Sequence, residues 1–133
     1  ERLAAVVLFG SRARGDARVG SDWDLLVIAE GLPERPLERQ HFFAQALLGR
    51  CHIAVSILAR TPEEFESHLP SLYLDIALDG QILWDAQGYA ARKLAALRQI
   101  INRLGLYREQ TEAGDLWRWQ QEPASPWVLA WGN

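Results

Sequence analysis

Apolar residues along the chain fall into short blocks separated by polar, glycine-rich stretches. Residues 4–10, AAVVLFG, form an apolar run closed by glycine. Short, valine-rich and bounded by Gly10, the run predicts a buried strand. Residues 11–21, SRARGDARVGS, are polar and carry Gly15 and Gly20. They predict a turn of helix followed by a loop. A second strand is expected over 23–29, WDLLVIA. Beyond the Gly31–Pro36 breaker, Phe42, Phe43, Ala46 and Leu47 recur at helical spacing, so a helix is predicted over 37–49 with Gly49 as its stop.

Residues 52–59, HIAVSILA, predict a third strand. Thr61-Pro62-Glu63-Glu64 then has the order of a helix start, with threonine as cap, proline first and glutamate third. A helix is predicted over 70–79, with Leu69, Leu72, Tyr73 and Ile76 on one face and Gly80 at its end. A short strand, QILW, follows over 81–84, and a longer helix over 87–104. The order β, short α, β, α, β, α, α, β, α predicts an α/β (α+β) fold, a sheet layered with helices. Strand directions are not fixed by the pattern.

The composition changes after the long helix. Trp117, Trp119, Trp127 and Trp131 are four of the six tryptophans, and Pro123 and Pro126 lie among them. Two segments are therefore expected: a domain over 1–104 and a tryptophan-rich extension over 105–133. The extension is expected to pack on its own domain, where tryptophan buries much area, or to face a protein partner. Trp23 is expected to point into the core.

With 133 residues and 49% hydrophobic content, the chain can bury a real core. A net charge of −3 argues against a groove for bulk nucleic acid. The basic residues Arg12, Arg14 and Arg18 stand beside acids, which suits one small anionic ligand. The single cysteine, Cys51, builds neither a disulfide framework nor a cysteine zinc site, and points to a reducing, cytoplasmic setting. No apolar run approaches the roughly 18 residues of a membrane span, and no signal peptide is visible. The chain opens on Glu1 and runs almost at once into a strand, so an N-terminal element outside this sequence is expected.

Residues 9–25 concentrate the candidate chemistry. A strand ends in Gly10-Ser11 at the mouth of a short helix. Gly10 has no Cβ, so a ligand can approach the backbone closely. Leading N–H groups of a helix, with the positive end of its dipole, favour phosphate, and the Ser11 hydroxyl adds a donor. Asp22 and Asp24 are two apart at the start of a strand, so both carboxylates should project from one face. Two such acids beside a phosphate cradle suit Mg²⁺, which takes carboxylate, phosphate and water oxygens. Either feature alone is most often just a turn or a solvated loop. Together, between two strands, they form a candidate site.

Gly10-Ser11-Arg12-Ala13-Arg14-Gly15, followed by Ser21-Asp22-x-Asp24-Leu25, resembles the signature of the minimal nucleotidyltransferases of the polymerase-β-like superfamily. Looser similarity runs through Thr61–Phe65 and Asp79–Asp85, covering roughly residues 3–100. The resemblance implies a mixed sheet of about four strands backed by helices. It implies that Gly10, Ser11, Arg12, Arg14 and Ser21 contact the nucleotide, and that Asp22 and Asp24 are catalytic and hold Mg²⁺ or Mn²⁺. Arg12 or Arg14 would neutralise the β- and γ-phosphates, or else face solvent or pair with Asp16. The implied reaction is attack of an acceptor hydroxyl on the α-phosphorus of a nucleoside triphosphate, ATP above all, with pyrophosphate leaving. Such proteins resemble the antitoxin of a pair whose partner is a helical HEPN-domain protein, and in some pairs the partner itself is the acceptor. A homodimer is the other assembly considered.

One departure from the pattern divides the readings. Active members of the superfamily usually carry a third carboxylate on a later strand, and the corresponding position here is Ser56. Its face, by alternation, carries His52, Ala54, Ser56 and Leu58, none acidic. In one reading the protein is an enzyme whose third acid comes from Glu63, Glu64, Asp75, Asp79 or a partner chain, with His52 as another base. In the other it is a nucleotide- and metal-binding regulatory module with weakened transfer.

Overall fold

The computed structural model describes residues 2–50, 53–121, 123 and 127–132. Its first strand, β1 (Arg2–Phe9), leads into the single helical turn α1 (Ser11–Arg14). Strand β2 (Trp23–Glu30) is followed by helix α2 (Pro36–Leu47) and strand β3 (Val55–Arg60). Helices α3 (Pro62–Ser67) and α4 (Ser71–Asp79) precede strand β4 (Gln81–Asp85) and the long helix α5 (Tyr89–Leu104).

The four strands form one mixed sheet in the order β3-β2-β1-β4. β1 runs antiparallel to both β2 and β4, while β2 and β3 are parallel. Alternation assigns the faces. Ala5 and Val7 of β1 and Leu26 and Ile28 of β2 point to one side, where they are buried against Phe65, Tyr73, Leu74, Ile76, Leu97 and Ile100 of α3, α4 and α5. The mixed sheet with helices on it agrees with the predicted architecture.

Local chemistry sets the helix ends. Thr61 accepts from the Glu64 N–H at 3.1 Å and the Glu64 carboxylate accepts from the Thr61 N–H at 2.9 Å, a complete capping box. The Asp85 carboxylate accepts from the Ala90 and Ala91 N–H groups at 2.7 and 3.0 Å, closing the start of α5. Ala90, Leu94, Leu97 and Ile101 then follow helical spacing down its buried side.

Several expectations are corrected. β3 begins at Val55 rather than at 52, and His52 and Cys51 lie outside the described residues. α4 buries Tyr73, Leu74, Ile76 and Ala77, while Leu72 is exposed. Trp23 is absent from the core. It lies half-buried, with the Arg12 guanidinium 4.8 Å from its ring centre. α2 buries none of its residues. Its Phe42 and Phe43 meet edge to face at 5.2 Å.

The extension holds an antiparallel hairpin that the pattern did not announce, β5 (Leu106–Thr111) with β6 (Gly114–Trp119). Arg108 fastens it to α4, donating to Asp79 at 2.6 and 3.0 Å and to Asp75 at 3.2 Å. These paired carboxylates hold the Arg108 proton more tightly than usual. The Trp117 indole N–H donates to Asp75 at 3.0 Å. Farther along, Trp131 packs on Phe65, ring centres 5.2 Å apart, and its N–H donates to the carbonyls of Phe65 and His68, each at 2.9 Å.

Candidate functional site

The site is assembled where β1 ends. Gly10 has φ 76° and ψ −158°, a backbone region open essentially to glycine alone. The Ala13 and Arg14 N–H groups return to the Gly10 carbonyl at 3.1 and 3.0 Å, starting α1. The N–H groups of Ser11 and Arg12 are left without a partner inside the helix. Gln81 of β4 supports the far end of this turn, its side-chain N–H donating to the Ala13 carbonyl at 3.0 Å.

Asp24 faces this bend. It is the register partner of Phe9 across β1 and β2, one residue before Gly10. A Cβ built on Gly10 would collide with the Asp24 carboxylate. The strand period is two, so a one-residue slip of this pair would carry Asp24 to the other face. The register that buries Leu26 and Ile28 thus also aims Asp24 at the Gly-Ser bend.

Asp22 lies just before β2 and is exposed, while Asp24 is half-buried. Burial is the main force raising the Asp24 carboxyl above its ordinary value. The nearby Asp22 charge raises it further, and the Arg14 charge opposes both. The two carboxylates are thus placed so that each charge acts on the other. A divalent cation would relieve that repulsion, while the side-chain space at Gly10 is taken by the Asp24 carboxylate rather than left open to a ligand. The donor set fits a cation bound by two carboxylates and completed by phosphate and water oxygens. Among the described residues no group of three His, Cys, Asp or Glu side chains is placed to hold a metal.

The other predicted contacts are differently employed. Arg12 donates to the Ser21 carbonyl at 3.1 Å, pinning the 15–21 loop while it covers Trp23. Its Nε is buried without a partner. Arg14 donates to Asp16 at 3.2 Å, yet its charge reaches Asp24. The Ser21 hydroxyl accepts from the Arg18 N–H at 2.9 Å and so shapes the loop.

Ser56 stands beside Asp24, in register across the parallel β2–β3 pair. Three of the four expected substitutes within the chain, Glu64, Asp75 and Asp79, are occupied elsewhere. Glu64 serves the α3 capping box and pairs with Arg39 at 2.8 Å, which is the main reason its carboxyl is held below the usual value. Asp75 and Asp79 are bound to Arg108. Glu63 is an exposed first-turn residue of α3.

A groove of about 1050 Å³, not announced by the sequence pattern, opens beside the acids. It is bounded by the α2 face bearing Arg39, Phe43 and Leu47, by the whole of β3, and by Glu64, Ser67, His68, Pro70 and Tyr73 of α3, α4 and the segment between them, with Asp22 and Ser56 also among the lining residues. The helical repeat of Pro36, Arg39, Phe43 and Leu47 was its only local signal.

Residues 1–83 match the family described as Nucleotidyltransferase domain. A Methanocaldococcus jannaschii protein named "Putative protein adenylyltransferase" is 32% identical over 106 residues, which are 77% of this chain and 72% of that protein. A chain of a toxin–antitoxin complex crystallised with AMP-PNP aligns with TM-score 0.53 at 22% identity, over 78% of each chain. A chain of the complex of tri-AMPylated Shewanella oneidensis HEPN toxin with MNT antitoxin aligns with TM-score 0.51 at 20% identity, over 77% of this chain and 74% of that one. At these identities the two structures are likenesses of fold alone. The match over 1–83 and the M. jannaschii relative establish that this chain belongs to the nucleotidyltransferase domain family.

Proposed function

We propose that the chain transfers a nucleoside monophosphate, AMP in the first instance, from the triphosphate to a hydroxyl on a partner protein. The observation that carries this reading is the Asp24 carboxylate set over the cleared backbone of Gly10, with Asp22 near enough to raise its proton affinity. The M. jannaschii relative's name supports adenylyl transfer. The AMP-PNP and AMPylated HEPN toxin complexes support a nucleotide and a HEPN-type partner by analogy of fold.

In this reading the N–H groups of Ser11 and Arg12 and the Ser11 hydroxyl grip the polyphosphate, and Gly10 makes room for the Asp24 carboxylate beside it. Arg14 adds positive charge on the same side. Asp22 and Asp24 would hold Mg²⁺ or Mn²⁺, which supplies charge neutralisation at the transferring phosphorus. The acceptor oxygen bonds to the α-phosphorus as the bond to pyrophosphate breaks. Ser56 cannot take the hydroxyl proton as a carboxylate would, so that proton passes to water or to a group on the acceptor.

The serine at position 56 also favours a second reading, a nucleotide-binding module with little transfer. Incubation with α-labelled ATP, Mg²⁺ and cell extract separates the two. Label on a protein, lost on joint Asp22→Asn and Asp24→Asn substitution, supports the transferase. An ATP- and Mg²⁺-dependent rise in melting temperature without label supports the module, and neither response overturns both.

A further inference from the structure

Three strands cross the site in order. β1 ends at the phosphate bend, β2 carries Asp24, and β3 carries Ser56. The polyphosphate cradle and the α2–β3 groove therefore flank the acid pair from opposite sides. A transfer between the acids has its donor on the β1 side, which leaves the groove for the acceptor.

The groove wall is a sheet edge, since among the described residues β3 pairs only with β2. Its backbone directions are legible. The Ala54 carbonyl accepts from the Trp23 N–H at 2.9 Å, so even-numbered residues turn their backbone groups toward β2. Odd-numbered residues turn theirs outward, and the Ala59 carbonyl does accept from Arg39 of α2 at 3.1 Å. Arg39 and its partner Glu64 thereby close the far end of the edge. Nearer the acids, the backbone groups of Val55 and Ile57 face the groove with no partner among the described residues. A row of unpaired N–H and C=O groups is a template for an added strand.

We propose that the acceptor protein docks as an extended segment hydrogen-bonded to the Val55 and Ile57 backbone. The proposal rests on the transferase reading above. A segment so paired lies about 4.8 Å beyond β3. Its residue opposite Ser56 projects to the face that carries Ser56 and Asp24, because side chains at paired positions share a face. The short serine leaves the way open from that residue to the acids. The apolar side of the segment would meet Phe43, Ala44 and Leu47 across the groove. Backbone pairing supplies affinity and the α2 wall supplies selectivity.

The test uses Ile57→Pro, which removes one outward N–H and is tolerated on an edge strand because that N–H lies outside the β2 ladder. Ile57→Ala keeps the N–H and controls for lost side-chain packing. With α-labelled ATP, Mg²⁺ and extract, Ile57→Pro is expected to cut protein labelling by about tenfold, while Ile57→Ala stays within about twofold of wild type. The ATP-dependent melting shift should persist in both. Equal labelling by wild type and Ile57→Pro would overturn the added strand and leave the transferase standing. No labelling by wild type would sink both. If Ile57→Pro fails to fold, amide hydrogen exchange of wild type decides, using the labelled protein purified from extract. Slowed exchange at Val55 and Ile57 is expected, and unchanged exchange there would overturn the proposal.

Discussion

The Asp24 carboxylate occupies the space that a side chain at residue 10 would need. The glycine therefore serves two purposes, a backbone conformation closed to other residues and clearance for an acid from the next strand. Gly10→Ala should meet both costs. We expect about 2 kcal/mol lower stability in urea, together with loss of the ATP-dependent melting shift. A variant as stable as wild type that still responds to ATP would contradict this account of the bend.

Asp22 and Asp24 repel each other without a cation. The Asp24 carboxyl is raised from an ordinary 3.8, so its contribution to stability is fully present below that value and is lost as pH rises through the folded value. Asp22→Asn should lower the Asp24 titration midpoint by NMR. It should also stabilise the metal-free protein at pH 7 by about 0.5 kcal/mol and abolish the rise in melting temperature on adding Mn²⁺. An unchanged midpoint would mean that the two acids do not interact.

Ser56→Asp places a carboxylate next to Asp24 across the β2–β3 pair. If transfer lacks only a proton acceptor there, labelling of the acceptor should rise about 10- to 100-fold. Without a divalent cation the extra charge should lower the melting temperature. A variant that binds the cation yet transfers no faster would show that the missing acid is not what limits the rate.

The Arg39–Glu64 pair ties α2 to α3 and shuts one end of the groove. Its effect on pH stability has the opposite sign to that of Asp24. The Glu64 carboxyl is lowered from 4.5, so its contribution is present above that value and fades as pH falls through the folded value. Glutamine preserves the capping box. Glu64→Gln should therefore cost about 1 kcal/mol at pH 7 and progressively less as pH falls below 4.5, as read from urea midpoints. An equal loss across that range would assign the effect to packing.

The legible parts were those written in neighbouring residues. The Gly10–Asp24 segment carries its strand, bend and acid pair within one turn-and-return, and the Thr61–Glu64 box closes over three residues. For Trp23, alternation shows which side it takes, opposite the acids, but not what covers that side. Arg12 does. The β5–β6 hairpin was missed because its hold is remote and polar. Arg108 reaches back 29 and 33 residues to Asp79 and Asp75, and strand Leu106–Thr111 is mostly polar. The groove escaped for a similar reason, since it exists only once α2 stands across from β3.

Trp131 ties the last described residues to the end of α3, satisfying two carbonyls and capping the ring of Phe65. Cutting the chain after α5 would bare that ring and strip α4 of its guanidinium clasp. Residue 104 is thus expected to mark a change of composition rather than a seam. Both portions should melt in one cooperative transition, and an expression fragment ending there would behave as a damaged protein instead of a minimal one.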